Sequence, residues 1–274
     1  MDFAEEWGEE VEGWSRDTKI DEAKEALESE LFARRPREVF YGRQIGVLFE
    51  DRFFHWITHK ALSELVEEDQ IKSEKVDLEQ GKEIRFYWSR KNRYWKRQVQ
   101  EARKVVIAYS RTEFTRGIGR HAEMLFTAGL ATVGFTVAAE NVRSYKGVAW
   151  VETGHDLDRV FERDGIVYGT EIKNTLDYIE LEELEIKLKM CSRLGLKPLF
   201  IMRMAPKTYI EKVRQARGFS LIFKWQLYPY GHDRFARKVR DTFGLPVDSP
   251  QAIEHGTVQR FLRWHLKAVR SQRE

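Results

Sequence analysis

The sequence predicts an α/β protein in which a mixed β-sheet flanked by helices follows a smaller helix-and-hairpin unit. Three observations lead there. Strand-type and helix-period runs alternate after about residue 116, an order that yields a mixed sheet covered by helices. Within that stretch Asp164-Gly165 separates two apolar-rich arms in GHDLDRVFERDGIVYGTEIKN (154–174), the signature of a two-residue hairpin turn. Upstream, a helical run is followed by two strand-like runs at 71–76 and 82–89. With 274 residues, 42% hydrophobic content, eight Trp and seventeen Phe, the chain can fill one large core or two ordinary ones.

Composition narrows the setting. A single cysteine, Cys191, excludes an internal disulfide and fits a reducing compartment. It falls in the helical run LEELEIKLKMCSRLG, as core filler rather than nucleophile. No apolar run reaches the ~18 residues of a membrane span, and the acidic start MDFAEEWGEE has no signal-peptide character, so a cytoplasmic location is expected. The net charge of +3 conceals an asymmetry: residues 1–36 hold twelve Asp/Glu against five Lys/Arg, whereas 81–120 hold twelve Lys/Arg against three Glu. Such a basic block suits a polyanion, although a solvated helix face has the same composition.

In chain order, residues 1–36 form an acidic extension, helical from about 21 to 32 and closed by Pro36. Residues 37–115 form the helix-and-hairpin unit. A helix is expected over 43–53, and a second begins with Thr58 as its N-cap, placing Ala61, Leu62, Leu65 and Val66 on one face. The runs at 71–76 and 82–89 pair around a Glu79-Gln80-Gly81 turn, and a helix spans 94–110. Residues 116–274 carry a helix around Glu123, a strand near 135–138, the Asp164-Gly165 hairpin, a long helix at 177–195, a buried strand at 198–204, a helix at 207–218, a strand at 219–227 and two tail helices, 233–243 and 257–270.

The hairpin gathers charge. If Asp164 and Gly165 are its two turn residues, Arg163 pairs with Ile166, Asp158 faces Glu171 and Asp156 faces Lys173. Strand side chains alternate faces and opposed residues share one, with Cβ atoms ~4.5–5.5 Å apart, so three carboxylates and one ammonium form a single patch. Like charges facing across a ladder repel. Lys173 offsets part of that repulsion; a hard divalent cation, which takes carboxylate and water oxygens, would offset more. A hairpin whose charges merely face water is the plain alternative.

The spacing Asp158…Glu171-Ile172-Lys173, with Glu123 on a preceding helix and a helix after it, resembles the core of the PD-(D/E)xK nuclease superfamily. Leu157 stands where the usual proline would. The resemblance covers roughly residues 117–205. It implies a restriction-endonuclease-like mixed sheet, Mg²⁺ (or Mn²⁺) held by Asp158, Glu171, the carbonyl of Ile172 and Glu123, and Lys173 positioning the attacking water, leaving a 5′ phosphate. Asp156 is an alternative ligand or a partner for Lys173. His121 and His155 are read as local hydrogen-bonding residues, since hard Mg²⁺ disfavours imidazole. Asn174 and Tyr178 are candidate phosphate contacts.

The unit at 37–115 resembles winged helix-turn-helix DNA-binding domains. In those, the helix carrying Thr58, His59, Lys60, Ser63 and Glu64 would enter the major groove. The string WSRKNRYWKR interleaves Arg90, Lys91, Arg93, Lys96 and Arg97 with Trp88, Tyr94 and Trp95, a pattern for phosphate contact and base stacking. The expected function is a metal-dependent DNA endonuclease, similar in order to Mrr-type restriction enzymes and expected as a homodimer. The alternatives are a structure-selective, Holliday-junction-like nuclease, or a non-catalytic DNA-binding protein on the same fold.

Overall fold

The computed structural model describes residues 16–78 and 83–273. The chain divides into two compact units: residues up to Arg111 together with Lys238–Leu245, and Thr112–Arg237 together with Pro246–Glu274. Among the described residues no helix is long and apolar enough to cross a membrane.

The first unit begins with α1 (Arg16–Ala26), continued by a wider π-type turn at Leu27–Phe32. Then come β1 (Val39–Tyr41), α2 (Gly42–Leu48), α3 (His55–Glu67), β2 (Ile71–Asp77), β3 (Glu83–Ser89) and α4 (Trp95–Ser110). The strands form an antiparallel sheet in the order β1-β3-β2, with Ile71 opposite Ser89 and Asp77 opposite Glu83. The Glu79-Gln80-Gly81 turn lies outside the described residues. Ile20, Ala23, Leu27 and Leu31 close one core with Ile57, Ala61, Leu62 and Leu65 of α3, so the acidic extension from residue 16 onward is part of the packed unit.

The sequence expectations for this unit's helices are corrected here, and one strand, β1, was not expected. The helix over 43–53 ends at Leu48, since Phe49 leaves helical geometry and packs in the core. α3 starts three residues before Thr58, with Phe54 at the N-cap position; Thr58 is fully buried and its hydroxyl donates back to the Phe54 carbonyl at 3.4 Å. A side chain so enclosed is not available to a DNA groove. The three-residue β1 is too short to leave a period in the sequence.

The second unit contains α5 (Thr112–Ala131), β4 (Thr136–Val142), the short β5 (Ser144–Tyr145) and β6 (Val148–Ala149), β7 (Leu157–Arg163), β8 (Ile166–Lys173), α6 (Leu181–Leu194), β9 (Lys197–Met202), α7 (Lys207–Gln215), β10 (Phe219–Ile222) and β11 (Gln226–Leu227). After α8 (Asp233–Phe243), whose residues from Lys238 group with the first unit, follow β12 (Val247–Asp248) and α9 (His255–Arg273). Five strands form a mixed sheet in the order β10-β9-β8-β7-β4. β4, β7 and β8 are antiparallel neighbours, whereas β8, β9 and β10 run parallel. Parallel neighbours need a crossover, which α6 and α7 provide.

Leu125, Phe126 and Leu130 of α5 and Phe261 of α9 share one core with Phe161, Tyr168 and Leu199 of the sheet. Met190, Cys191 and Leu194 of α6 share another with Leu157 and Val160. Gly195 ends α6 in the left-handed region at φ +70°, and Leu196 N–H donates to the Cys191 carbonyl at 2.9 Å, a glycine-dependent helix stop. The strand expected over 219–227 is two strands, broken at Phe223–Trp225.

Candidate active site and nucleic-acid interface

The Asp164-Gly165 reversal has the predicted geometry. Both residues have positive φ, +50° and +75°, and the ladder runs from Arg163 opposite Ile166 to Arg159 opposite Thr170. The turn is held from outside: Asp164 Oδ2 lies 3.0 Å from Nε2 of the buried His265 on α9 and accepts from Arg163 at 3.1 Å. His265 Nδ1 lies 2.8 Å from the Tyr168 hydroxyl, so α9 clamps the hairpin through two of its residues.

At its other end the ladder gives way to side chains. Beyond Arg159, the Ile172 N–H donates to Asp158 Oδ2 at 2.7 Å. Asp158 and Glu171 therefore stand beside each other in a half-closed setting, and Asp158 Oδ1 accepts no hydrogen bond among the described residues. Lys173 Nζ lies 3.0 Å from Glu171 Oε1. Asp156 does not face Lys173; its carbonyl and, at 4.0 Å, its carboxylate meet a different lysine.

That lysine is Lys187 of α6, which the hairpin alone does not reveal. Its side chain is 4% exposed, and it donates to Glu171 Oε2 at 2.6 Å and to the Asp156 carbonyl. One turn earlier, Glu183 accepts from Lys173 at 2.8 Å; one turn later, Cys191 packs on Gly169. The register has a physical basis. Two strand residues advance about 6.6 Å and four helical residues about 6 Å, so odd positions of β8 match every fourth position of α6. The helix runs back along the strand, pairing 173 with 183, 171 with 187 and 169 with 191. The signal was present as a Glu183, Lys187, Cys191 stripe.

Burial sets the protonation states. Desolvation, then the neighbouring charge of Asp158, lifts the Glu171 carboxyl from its ordinary 4.5 to about 7 against the pull of both lysines. Desolvation also lifts Asp158, opposed by the Ile172 N–H and reinforced by Glu123. For Lys173 desolvation favours the neutral amine, but Glu171 and Glu183 together outweigh it and hold the ammonium above its usual range. Burial pushes the Cys191 thiol up to about 12, which leaves it an unreactive core group.

Glu123 on α5 is tied to Arg159 at 3.1 Å, and Glu140 lies 3.6 Å from the same guanidinium. Glu123 thus acts on Asp158 through its charge. His155 Nδ1 sits 2.9 Å from the Thr153 hydroxyl, and burial lowers the basicity of His121. Asn174 is enclosed: its amide donates to the Ile118 and Leu227 carbonyls and accepts from Leu227 N–H, all within 3.0 Å. It is a structural clamp, not a phosphate contact. Tyr178 is half-buried on the loop before α6.

Among the described residues no three His, Cys, Asp or Glu side chains gather closely enough to hold a metal by themselves. The oxygens nearest to suiting a hard cation are Asp158 Oδ1, which accepts no hydrogen bond among the described residues, and the Glu171 carboxylate, whose two oxygens meet Lys173 and Lys187 and would exchange one of them for the ion; a divalent charge would relieve the repulsion between the two carboxylates. Two carboxylates are the protein share Mg²⁺ ordinarily takes, with water and phosphate supplying the rest.

In the first unit the basic string follows β3. Trp88 is buried and stacks on Trp95 at 4.4 Å, and Lys96 lies over the Trp95 ring at 5.5 Å, so these tryptophans brace the loop. Arg90 is bound to Asp69 at 3.2 Å. Lys91, Arg93 and Arg97 are exposed with no ion-pair partner among the described residues, and Tyr94 is 75% exposed. The face of α3 carrying His59, Lys60 and Ser63 differs: Lys60 lies 3.8 Å from Glu64, which also meets Lys24, and Glu67 and Glu68 are exposed beyond them. Comparison with known proteins adds no identity to this geometry: no family model, curated protein or solved structure matches the chain.

Proposed function

We propose that the chain is a metal-dependent DNA endonuclease of the PD-(D/E)xK type, with a winged-helix-like unit that engages DNA ahead of the catalytic one. The observation that carries this reading is the juxtaposition of the buried Glu171 with half-buried Asp158 and Lys173 where the hairpin ladder opens, with both carboxylates lifted by desolvation and by neighbouring charge. Strongly perturbed ionisable groups at one place are a functional-site signal.

Asp158 and Glu171 would hold Mg²⁺ or Mn²⁺, beside the Ile172 backbone that Asp158 already engages. The ion, when bound, polarises a phosphoryl oxygen and lowers the pKa of its water. Lys173 stays protonated, so its role is to position water and neutralise charge on the phosphate rather than to take a proton. Glu123, bound to Arg159, sets the field at Asp158 rather than serving as a direct ligand. Cutting both strands needs two such sites, so the reading includes a homodimer.

The test is cleavage of linear, supercoiled and branched DNA in Mg²⁺ or Mn²⁺ by the wild type, Asp158→Ala and Lys173→Ala. Products formed by the wild type alone support the reading, whereas equal cleavage by all three rejects it. A second reading has its own observation: Lys173 and Lys187 together engage both oxygens of Glu171, which would suit a DNA-binding protein that keeps the scaffold without cleaving. Wild type that binds DNA but yields no products with any of these substrates would favour that reading.

A further inference from the structure

We propose that the basic loop after β3 binds an unpaired nucleobase of single-stranded DNA, seated on Tyr94, rather than reading the groove of a duplex. The inference rests on the reading that this unit binds DNA, and it names the substrate class: strands with single-stranded ends, flaps or junctions.

Four observations carry it. Tyr94 presents its ring to solvent from a rigid mount. Its N–H donates to Oδ1 of the buried Asn92 at 3.0 Å, Asn92 donates to Gln98 at 2.8 Å, and Gln98 donates to the Arg37 carbonyl at 2.7 Å. Those bonds fix the backbone that carries the ring, and an aromatic side chain with only two rotatable bonds loses little freedom when a base stacks on it. Second, Tyr94 borders a groove of about 480 Å³, floored by Val39, Ala102 and Phe243 and rimmed by Arg97 and Glu101. The apolar floor suits a planar ring, and Glu101, which Lys104 reaches at 3.4 Å, can also accept from an exocyclic amine; Glu38 lines the groove as well.

Third, Lys91, Arg93 and Arg97 flank Tyr94 without acidic partners, an arrangement matched to a phosphate backbone on either side of a stacked base. Fourth, the helix expected to read a major groove is poorly suited to it: Thr58 is enclosed, Lys60 and Lys24 are already engaged by Glu64 and Glu68, and Glu67 is exposed beside them.

The experiment measures fluorescence anisotropy of the full chain, without added metal, with a short single strand, the matching blunt duplex and a duplex bearing an overhang. Wild type, Tyr94→Ala and Tyr94→Phe are compared. The expected result is tighter binding to single strand and overhang than to blunt duplex, a roughly tenfold or greater loss for the single strand in Tyr94→Ala, and retention in Tyr94→Phe, which keeps the stacking face. Tyr94 is exposed, so the alanine variant should fold, which circular dichroism verifies. Single-strand affinity unchanged in Tyr94→Ala, or preference for blunt duplex, overturns the inference and leaves DNA binding standing. No binding of any oligonucleotide overturns both.

Discussion

Glu171 concentrates the electrostatics of the candidate cluster in one side chain. It is 2% exposed, touches two ammonium groups and feels Asp158, and its carboxyl is lifted from 4.5 to about 7. The folded state therefore holds a proton at this site that the unfolded chain has released between those pH values. Linkage then has a definite sign: stability present below about 4.5 is lost as pH rises through about 7. Melting temperature against pH should fall less steeply over that window in Glu171→Gln than in the wild type; parallel slopes would contradict the assignment. Lys187 is the other half of the pair. Removing one member of a buried ion pair strands its partner, so Lys187→Met should cost about 3 kcal/mol. Adding Glu171→Leu should restore most of it, because an apolar pair of similar volume needs no counter-charge. Urea denaturation of the wild type, both single variants and the double measures this, and additive losses would mean the contact contributes little. Glu171 was legible in the sequence because a hairpin with a two-residue turn has only one register. Lys187 was not, because its stripe with Glu183 and Cys191 on α6 acquires meaning only once that helix is docked against β8.

At the scale of elements, the site depends on how closely α6 lies against β8. Gly169 sets that distance. A Cβ there would stand 2.8 Å from Cys191 Sγ and 2.9 Å from Leu157 Cδ1, closer than side chains tolerate. Gly169→Ala should therefore lift α6 and cost about 1–3 kcal/mol of overpacking. Since Cys191 is one turn from Lys187, the same shift should loosen the Lys187 contact with Glu171. Shortening the opposing side chain, Cys191→Ala in the Gly169→Ala background, should recover part of the stability, read from thermal melts of the four proteins. No recovery would place the strain at Leu157 instead. What could be read from sequence here follows the same logic. The hairpin was legible because Asp-Gly and period-two alternation are local. β1 and the exact start of α3 were not: β1 is three residues long, and Phe54 offers no capping side chain, so Thr58 looked like the better start.

Over the whole molecule, charge is segregated along the chain, and the segregation constrains how it can be tested. Residues 1–36 are acidic, but they are not one detachable piece. From Ile20 to Phe32 they contribute buried side chains that share a core with α3, so deleting all of them would open that unit. Fully burying a single Leu or Phe is worth ~1.5–3 kcal/mol, and several would be lost together. Truncation of residues 1–15 avoids this, since the described core begins after them. That cut removes six carboxylates and no Lys or Arg, taking the formal net charge from +3 to +9. If those carboxylates compete with phosphate for the basic loop, the truncated chain should bind DNA more tightly, and its affinity should fall more steeply with salt because additional phosphate contacts release more counterions. Full-length and truncated protein titrated with the same oligonucleotide over a salt series distinguish this from a simple gain in net charge. A uniform increase in affinity with unchanged slope would indicate a long-range field effect; identical curves would remove the acidic start from any part in binding.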